Sequence, residues 1–146
     1  PLEHREFAHA LIDRGLVDVI HGHSSHHPKG IEVYRGRLVL YGCGDLINDY
    51  EGIEGHEAYR GDLSLLYPPR LRASDGALTG LTMVPMQIRR FRLHRAAPEA
   101  AGWLSRQLNR EGQALGTSVE IDHDGSLLLH WDMSTQATAS GQGQRG

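Results

Sequence analysis

At 146 residues and 39% hydrophobic composition, the chain is long enough for one domain around one core. Its formal net charge of −3, with ten histidines neutral, gives no electrostatic footprint for nucleic acid. The lone cysteine, Cys43, excludes an internal disulfide framework and a cysteine zinc site. No apolar run reaches membrane-spanning length and no secretory signal is legible, so the cytoplasm is the default compartment.

In chain order, apolar residues Phe7, Ala8, Leu11 and Ile12 recur at helical spacing, which predicts a helix over Glu3 to Arg14 closed by Gly15. Leu16 to Ile20 reads as a short buried strand, a helix-to-strand unit of the kind found in α/β layers. A strand of that type in a parallel sheet needs neighbours on both sides, and none is legible downstream. The chain is therefore expected to be the C-terminal part of a longer protein, with the missing N-terminal half of the same domain as its partner. A processed or trimmed chain is the alternative.

Ile31 to Tyr34 and Arg37 to Tyr41 flank Arg35-Gly36, which predicts a tight hairpin. Gly42-Cys43-Gly44-Asp45 breaks the second strand, and Leu46 to Gly61 reads as an irregular acidic loop carrying Asp49, Glu51, Glu54, His56 and Glu57. Asp62 to Tyr67 resumes as a strand that Pro68-Pro69 ends. Leu71 to Pro85 holds a second hairpin around Ser74-Asp75-Gly76, and Gln87 to Leu93, where Arg89, Arg90 and Arg92 alternate, reads as a further strand. Pro98 to Leu115 is expected as a second helix with Trp103, Leu104, Leu108 and Leu115 on one face. Val119 to Ile121 and Leu127 to Leu129 read as a final hairpin. Folded structure is expected over residues 1–133, with 134–146 a disordered tail too polar to repay its ordering entropy.

The densest chemistry lies at His21-Gly22-His23-Ser24-Ser25-His26-His27. Imidazole is the commonest metal ligand and also the side chain that titrates near neutral pH, and strand ends are where open α/β sheets place their sites. His23 and His26 are the candidate ligands or catalytic groups; His21 and His27 either support the loop or touch substrate. The bland alternative is a polar surface loop, since two histidines do not complete a metal site. Asp45, Asn48 and Asp49 form a second constellation, able to ligate a hard cation, orient a histidine or serve as acid or base, or simply to cap turns. Cys43 reads as a packed residue rather than a nucleophile, and Trp103 and Trp131 as core. His94, His123 and His130 lie in segments with no convergent partner.

The run Asp18-Val19-Ile20-His21-Gly22-His23-Ser24-Ser25-His26, then Gly30-Ile31-Glu32-Val33-Tyr34, then Leu38-Val39-Leu40-Tyr41-Gly42-Cys43-Gly44-Asp45, resembles the CapA family of capsule and poly-γ-glutamate synthesis proteins. The likeness rests on that family's terminal Gly-His-x-x-His, Gly-Ile-Glu and Tyr-x-x-Gly-[Asn/Asp] segments. It covers residues 3 to 65 and extends more weakly to Trp131. It implies an α/β fold, the C-terminal part of a metallophosphoesterase-like αββα sandwich with β-hairpins and a late helix. It also implies a centre of two divalent ions (Mn, Fe or Zn) in the complete protein, and a phosphoester or anionic polymer as substrate. His23 and His26 match the family's last histidine motif, and Asp45 stands where asparagine is commoner. The family's earlier Gly-Asp, Asn-Leu-Glu, Asn-His and His-Trp-Gly motifs are absent, so most of the implied metal shell lies elsewhere. The resemblance fits a metal-dependent hydrolase, a non-catalytic accessory of polymer assembly or export, or an inactive fragment.

Overall fold

The computed structural model describes residues 2–23, 25–46 and 60–132. The expected acidic loop from 47 to 59, including Asn48 and Asp49, lies outside the described residues, as does the expected tail. The elements run α1 (Leu2–Asp13), β1 (Val19–His21), β2 (Ile31–Tyr34), β3 (Arg37–Leu40), β4 (Leu63–Leu66), β5 (Pro69–Leu71), β6 (Leu78–Arg89), β7 (Arg92–Arg95), α2 (Pro98–Gly112), β8 (Thr117–Ile121) and β9 (Leu127–Trp131). The architecture is mixed α/β, as a stretch of a metallophosphoesterase-like fold would be.

Strands β2 and β3 form the expected hairpin, Ile31 opposite Leu40 and Tyr34 opposite Arg37. Arg35 and Gly36 both take positive φ, 48° and 77°, the twist-matched two-residue turn for which glycine is well suited. Strand β3 then inserts beside β1 in parallel, Val19 against Leu38 and His21 against Leu40, giving the order β1-β3-β2. This corrects the expectation that no partner for the first strand lies downstream. It also shortens that strand, which begins at Val19 and is half-exposed rather than buried.

Side-chain alternation splits β3 between two cores. Leu38 and Leu40 join Ile31 in the main core, with Leu104 and Leu108 of α2 and Leu63, Leu81, Met83 and Leu127 of the second sheet. Val39 points the other way, onto Ala8 and Ile12 of α1, the two faces of a strand alternating with period two. The second sheet runs β4-β6-β9-β8, with β5 and β7 also pairing along the long β6.

Two expectations are corrected in detail. The buried face of α1 is not the one on which Phe7 and Leu11 lie: Ala8 and Ile12 are buried, Leu11 is half-buried and Phe7 is 67% exposed. The cause is Glu32, on the same face as its cross-strand partner Val39 and only 3% exposed. Arg5 reaches it at 2.8 and 3.1 Å, His9 Nε2 at 3.1 Å and the Tyr41 hydroxyl at 2.6 Å. A buried carboxylate must be paired, and seating Arg5 and His9 against it turns Phe7 outward. The second correction is at Gln87 to Leu93, which is not one strand. Arg90 and Phe91 take positive φ, 50° and 58°, and make the turn between β6 and β7.

Candidate functional site

Two loops that leave the C-terminal ends of β1 and β3 are stitched together by their backbones. Gly22 N donates to Leu40 O at 2.7 Å, Lys29 N to Gly42 O at 2.9 Å, and Pro28 bridges Cys43. Gly22 is required by close approach rather than by a bend. A Cβ there would sit 2.6 Å from the Tyr41 carbonyl oxygen and 2.7 Å from that of Leu40, nearer than any real Cβ packs. Its φ is not in the left-handed region, and the constraint is space.

The stitched loops bring together residues 19 positions apart. His26 Nδ1 lies 2.7 Å from Asp45 Oδ2. Because a carboxylate accepts, the Nδ1–H donates and the lone pair of the neutral ring falls on Nε2. The His26 side chain is 70% exposed and that of Asp45 27%, so the pair sits at a surface with little packing to lose. Ser25, buried, fixes the loop between them by donating from Oγ to the His27 carbonyl at 2.9 Å. Burial, with Lys29 next, holds the His27 imidazole below its ordinary range, which suits a supporting residue that stays neutral.

Beside the pair, a cleft of about 500 Å³ opens between the two sheets, walled by His21, Cys43, Asp45, Tyr67 and apolar residues that include Leu40 and Leu65. His21 thus faces the same cleft as Asp45, and His23 is exposed on the loop between His21 and His26. Cys43 is 8% exposed, and burial pushes its thiol up to about 11, so it packs rather than attacks. The Tyr67 hydroxyl at the cleft is buried with no hydrogen-bond partner among the described residues. Sequence reading missed Tyr67, which follows β4 directly, because a lone tyrosine gives no signal that distinguishes a core ring from a site. It missed the Glu32 cluster for a similar reason: Arg5, His9, Glu32 and Tyr41 are far apart in the chain.

The fold family implies divalent metal, and the donors test that. Among the described residues no group of three or more His, Cys, Asp or Glu side chains is placed to hold an ion. His26, with its Nδ1 bonded to Asp45 at 2.7 Å, would offer Nε2 as a single ligand, which does not make a shell. Of the three histidines expected to lack a partner, His123 and His130 each have one carboxylate, His123 Nδ1 with Asp122 at 2.6 Å and His130 Nε2 with Glu120 at 3.2 Å, both on exposed side chains.

Residues 1–50, which hold the whole stitched unit, match the family model described as bacterial capsule synthesis protein. That stretch, residues 1–50, is a CapA-family segment. Two relatives from Mycobacterium tuberculosis, strains CDC 1551 and H37Rv, each named a probable polyglutamine synthesis accessory protein, are 47% identical to it over 121 residues. That alignment takes in 83% of this chain but 32% of each relative; the chain spans about a third of the curated relatives it matches. The CapA signature therefore falls on the elements that build the His26–Asp45 pair, α1 through β3 and the loop after it.

Proposed function

We propose that this chain supplies one wall of a phosphoesterase-type hydrolytic site in a CapA-family protein of capsule or polyglutamate synthesis. The observation that carries the reading is the 2.7 Å bond between His26 and Asp45 at the mouth of a cleft. Asp45 holds a proton on Nδ1 and so presents the basic Nε2 of His26, and a carboxylate on the far nitrogen makes that imidazole a stronger donor. His21, on the cleft wall, would meet an anionic oxygen of the substrate. The apolar wall at Leu40 and Leu65 limits the water around it, which strengthens charge interactions inside. His23 and His26 would hold one edge of a divalent centre whose other ligands lie beyond the described residues. When bound, such a metal supplies Lewis-acid charge to a phosphoryl oxygen.

The second reading is a non-catalytic accessory of anionic polymer assembly, which the word accessory in the relatives' names favours. The complete protein separates the two. Hydrolysis of a chromogenic phosphodiester in the presence of manganese, lost in His26→Ala and reduced in Asp45→Asn, supports the enzyme. Polymer production that needs the protein yet is unchanged by both substitutions supports the accessory.

A further inference from the structure

Tyr41 belongs to two structures at once. Its backbone is the middle of the stitch between the loops. Leu40 O accepts from Gly22 N at 2.7 Å, Tyr41 N donates to Gly30 O at 3.3 Å, and Gly42 O accepts from Lys29 N at 2.9 Å. The Tyr41 carbonyl oxygen is also the atom that a Cβ on Gly22 would approach to 2.6 Å. The side chain leaves the stitch for the α1 side, where it packs on the cluster of Ala8, Ile12 and Val39. There the hydroxyl donates to Glu32 Oε2 at 2.6 Å.

Glu32 is a well-held anchor. It is 3% exposed, its Oε1 receives Arg5 at 2.8 and 3.1 Å, and its Oε2 also meets His9 Nε2 at 3.1 Å. The His9 ring is itself stacked on Tyr34, with centroids 3.6 Å apart and planes within 5°. Burial, then the Glu32 carboxylate, raises the Tyr41 hydroxyl far above its ordinary range, so it keeps its proton and donates. Packing alone does not call for this arrangement. A phenylalanine would fill the same place, and a buried charge cluster is often no more stable than a well-packed apolar replacement. What the hydroxyl adds is direction, since it holds Tyr41 in one orientation, and Asp45 follows four residues on.

We propose that Tyr41, held by Glu32, is a positioning residue for the proposed site. It fixes the end of β3 so that the loop after it brings Asp45 to 2.7 Å from His26. The effect on turnover rests on the hydrolytic reading; the effect on the pair does not.

Tyr41→Phe, which keeps the ring and leaves Glu32 with Arg5 and His9, tests both. In the 146-residue chain, long-range proton–nitrogen NMR reads which ring nitrogen of neutral His26 carries the proton. The parent should show the Nδ1–H form that Asp45 selects, and Tyr41→Phe should lose it to the Nε2–H form. Glu32→Gln still offers the Tyr41 hydroxyl a partner, so it should keep Nδ1–H although it costs stability. A merely structural Tyr41 would give a tautomer that tracks stability instead. Should Tyr41→Phe not fold, Glu32→Met removes the partner from the other end of the bond and should lose Nδ1–H in its place. In the complete protein with manganese, Tyr41→Phe should lower kcat about 10-fold with KM little changed. An unchanged tautomer in Tyr41→Phe would overturn the proposal, as would its loss in folded Glu32→Gln or unchanged turnover in an active complete protein. A parent that hydrolyses nothing, yet shows the tautomer change, would end the hydrolytic reading and support the positioning of the pair by Tyr41.

Discussion

At His26 and Asp45 the structure adds an interaction that neither residue implies alone. Asp45→Asn leaves an amide of the same shape that no longer attracts the Nδ1 proton as a carboxylate does. In a complete protein it should cost about 10–100-fold in metal affinity or turnover while shifting the thermal midpoint little, because the pair is exposed. Glu32 is the opposite case, a structural charge. Burial pushes its carboxyl up, but the hydrogen bonds from Tyr41, Arg5 and His9 outweigh burial and leave it below its ordinary value of 4.5. A lowered folded-state pKa stabilises the fold above the ordinary value, and that stability is lost as pH falls below it. Glu32→Gln should therefore destabilise the chain at neutral pH by about 2–3 kcal/mol, near the low end for a broken buried pair because Arg5 is partly exposed. Urea unfolding at pH 7 and again well below 4.5 checks the sign: the gap between parent and variant should narrow in acid. A gap independent of pH would show that the charge of Glu32 is not what seats α1.

Elements were legible where local signals were strong and illegible where a partner had to be chosen. The Arg35-Gly36 turn, the flanks of Ser74-Asp75-Gly76 and the last hairpin could be read because turn residues separate apolar runs. The parallel pairing of β1 with β3 could not, since a period-two pattern says that a strand is half-buried and not which strand lies beside it. The face of α1 was misread because apolar periodicity ignores a buried carboxylate on another element. The Arg90-Phe91 turn was missed because neither residue is a usual occupant of positive φ. The site itself was half legible: the loop histidines and Asp45 were visible as candidates, and only the stitching of two loops joined His26 to Asp45. Gly22→Ala probes that stitching. Its Cβ would strike two backbone carbonyls that cannot rotate away as a side chain can, so it should cost about 1–3 kcal/mol. It should also broaden the amide signals of residues 21–28 and 40–45 in heteronuclear NMR. Spectra and stability matching the parent would mean that the loops are not held at that separation.

Over the whole molecule, apolar surface is left uncovered on the α1 side. Leu2 is 72%, Phe7 67% and Leu16 64% exposed, and β1 has one neighbour among the described residues. Exposed apolar groups beside an open strand edge favour association. Light scattering of the 146-residue chain should show mass rising with concentration, and Phe7→Ser with Leu16→Ser should reduce it. A monomer at all concentrations would contradict this. No helix among the described residues is long and apolar enough to cross a membrane. The hydrolytic role proposed for a site with His26 and Asp45 in its wall is tested most directly by phosphodiester hydrolysis by the complete protein and its Asp45→Asn variant, assayed with manganese at matched thermal midpoints. Measurable turnover that falls about 10–100-fold on substitution is expected; turnover equal in both proteins would contradict the proposal.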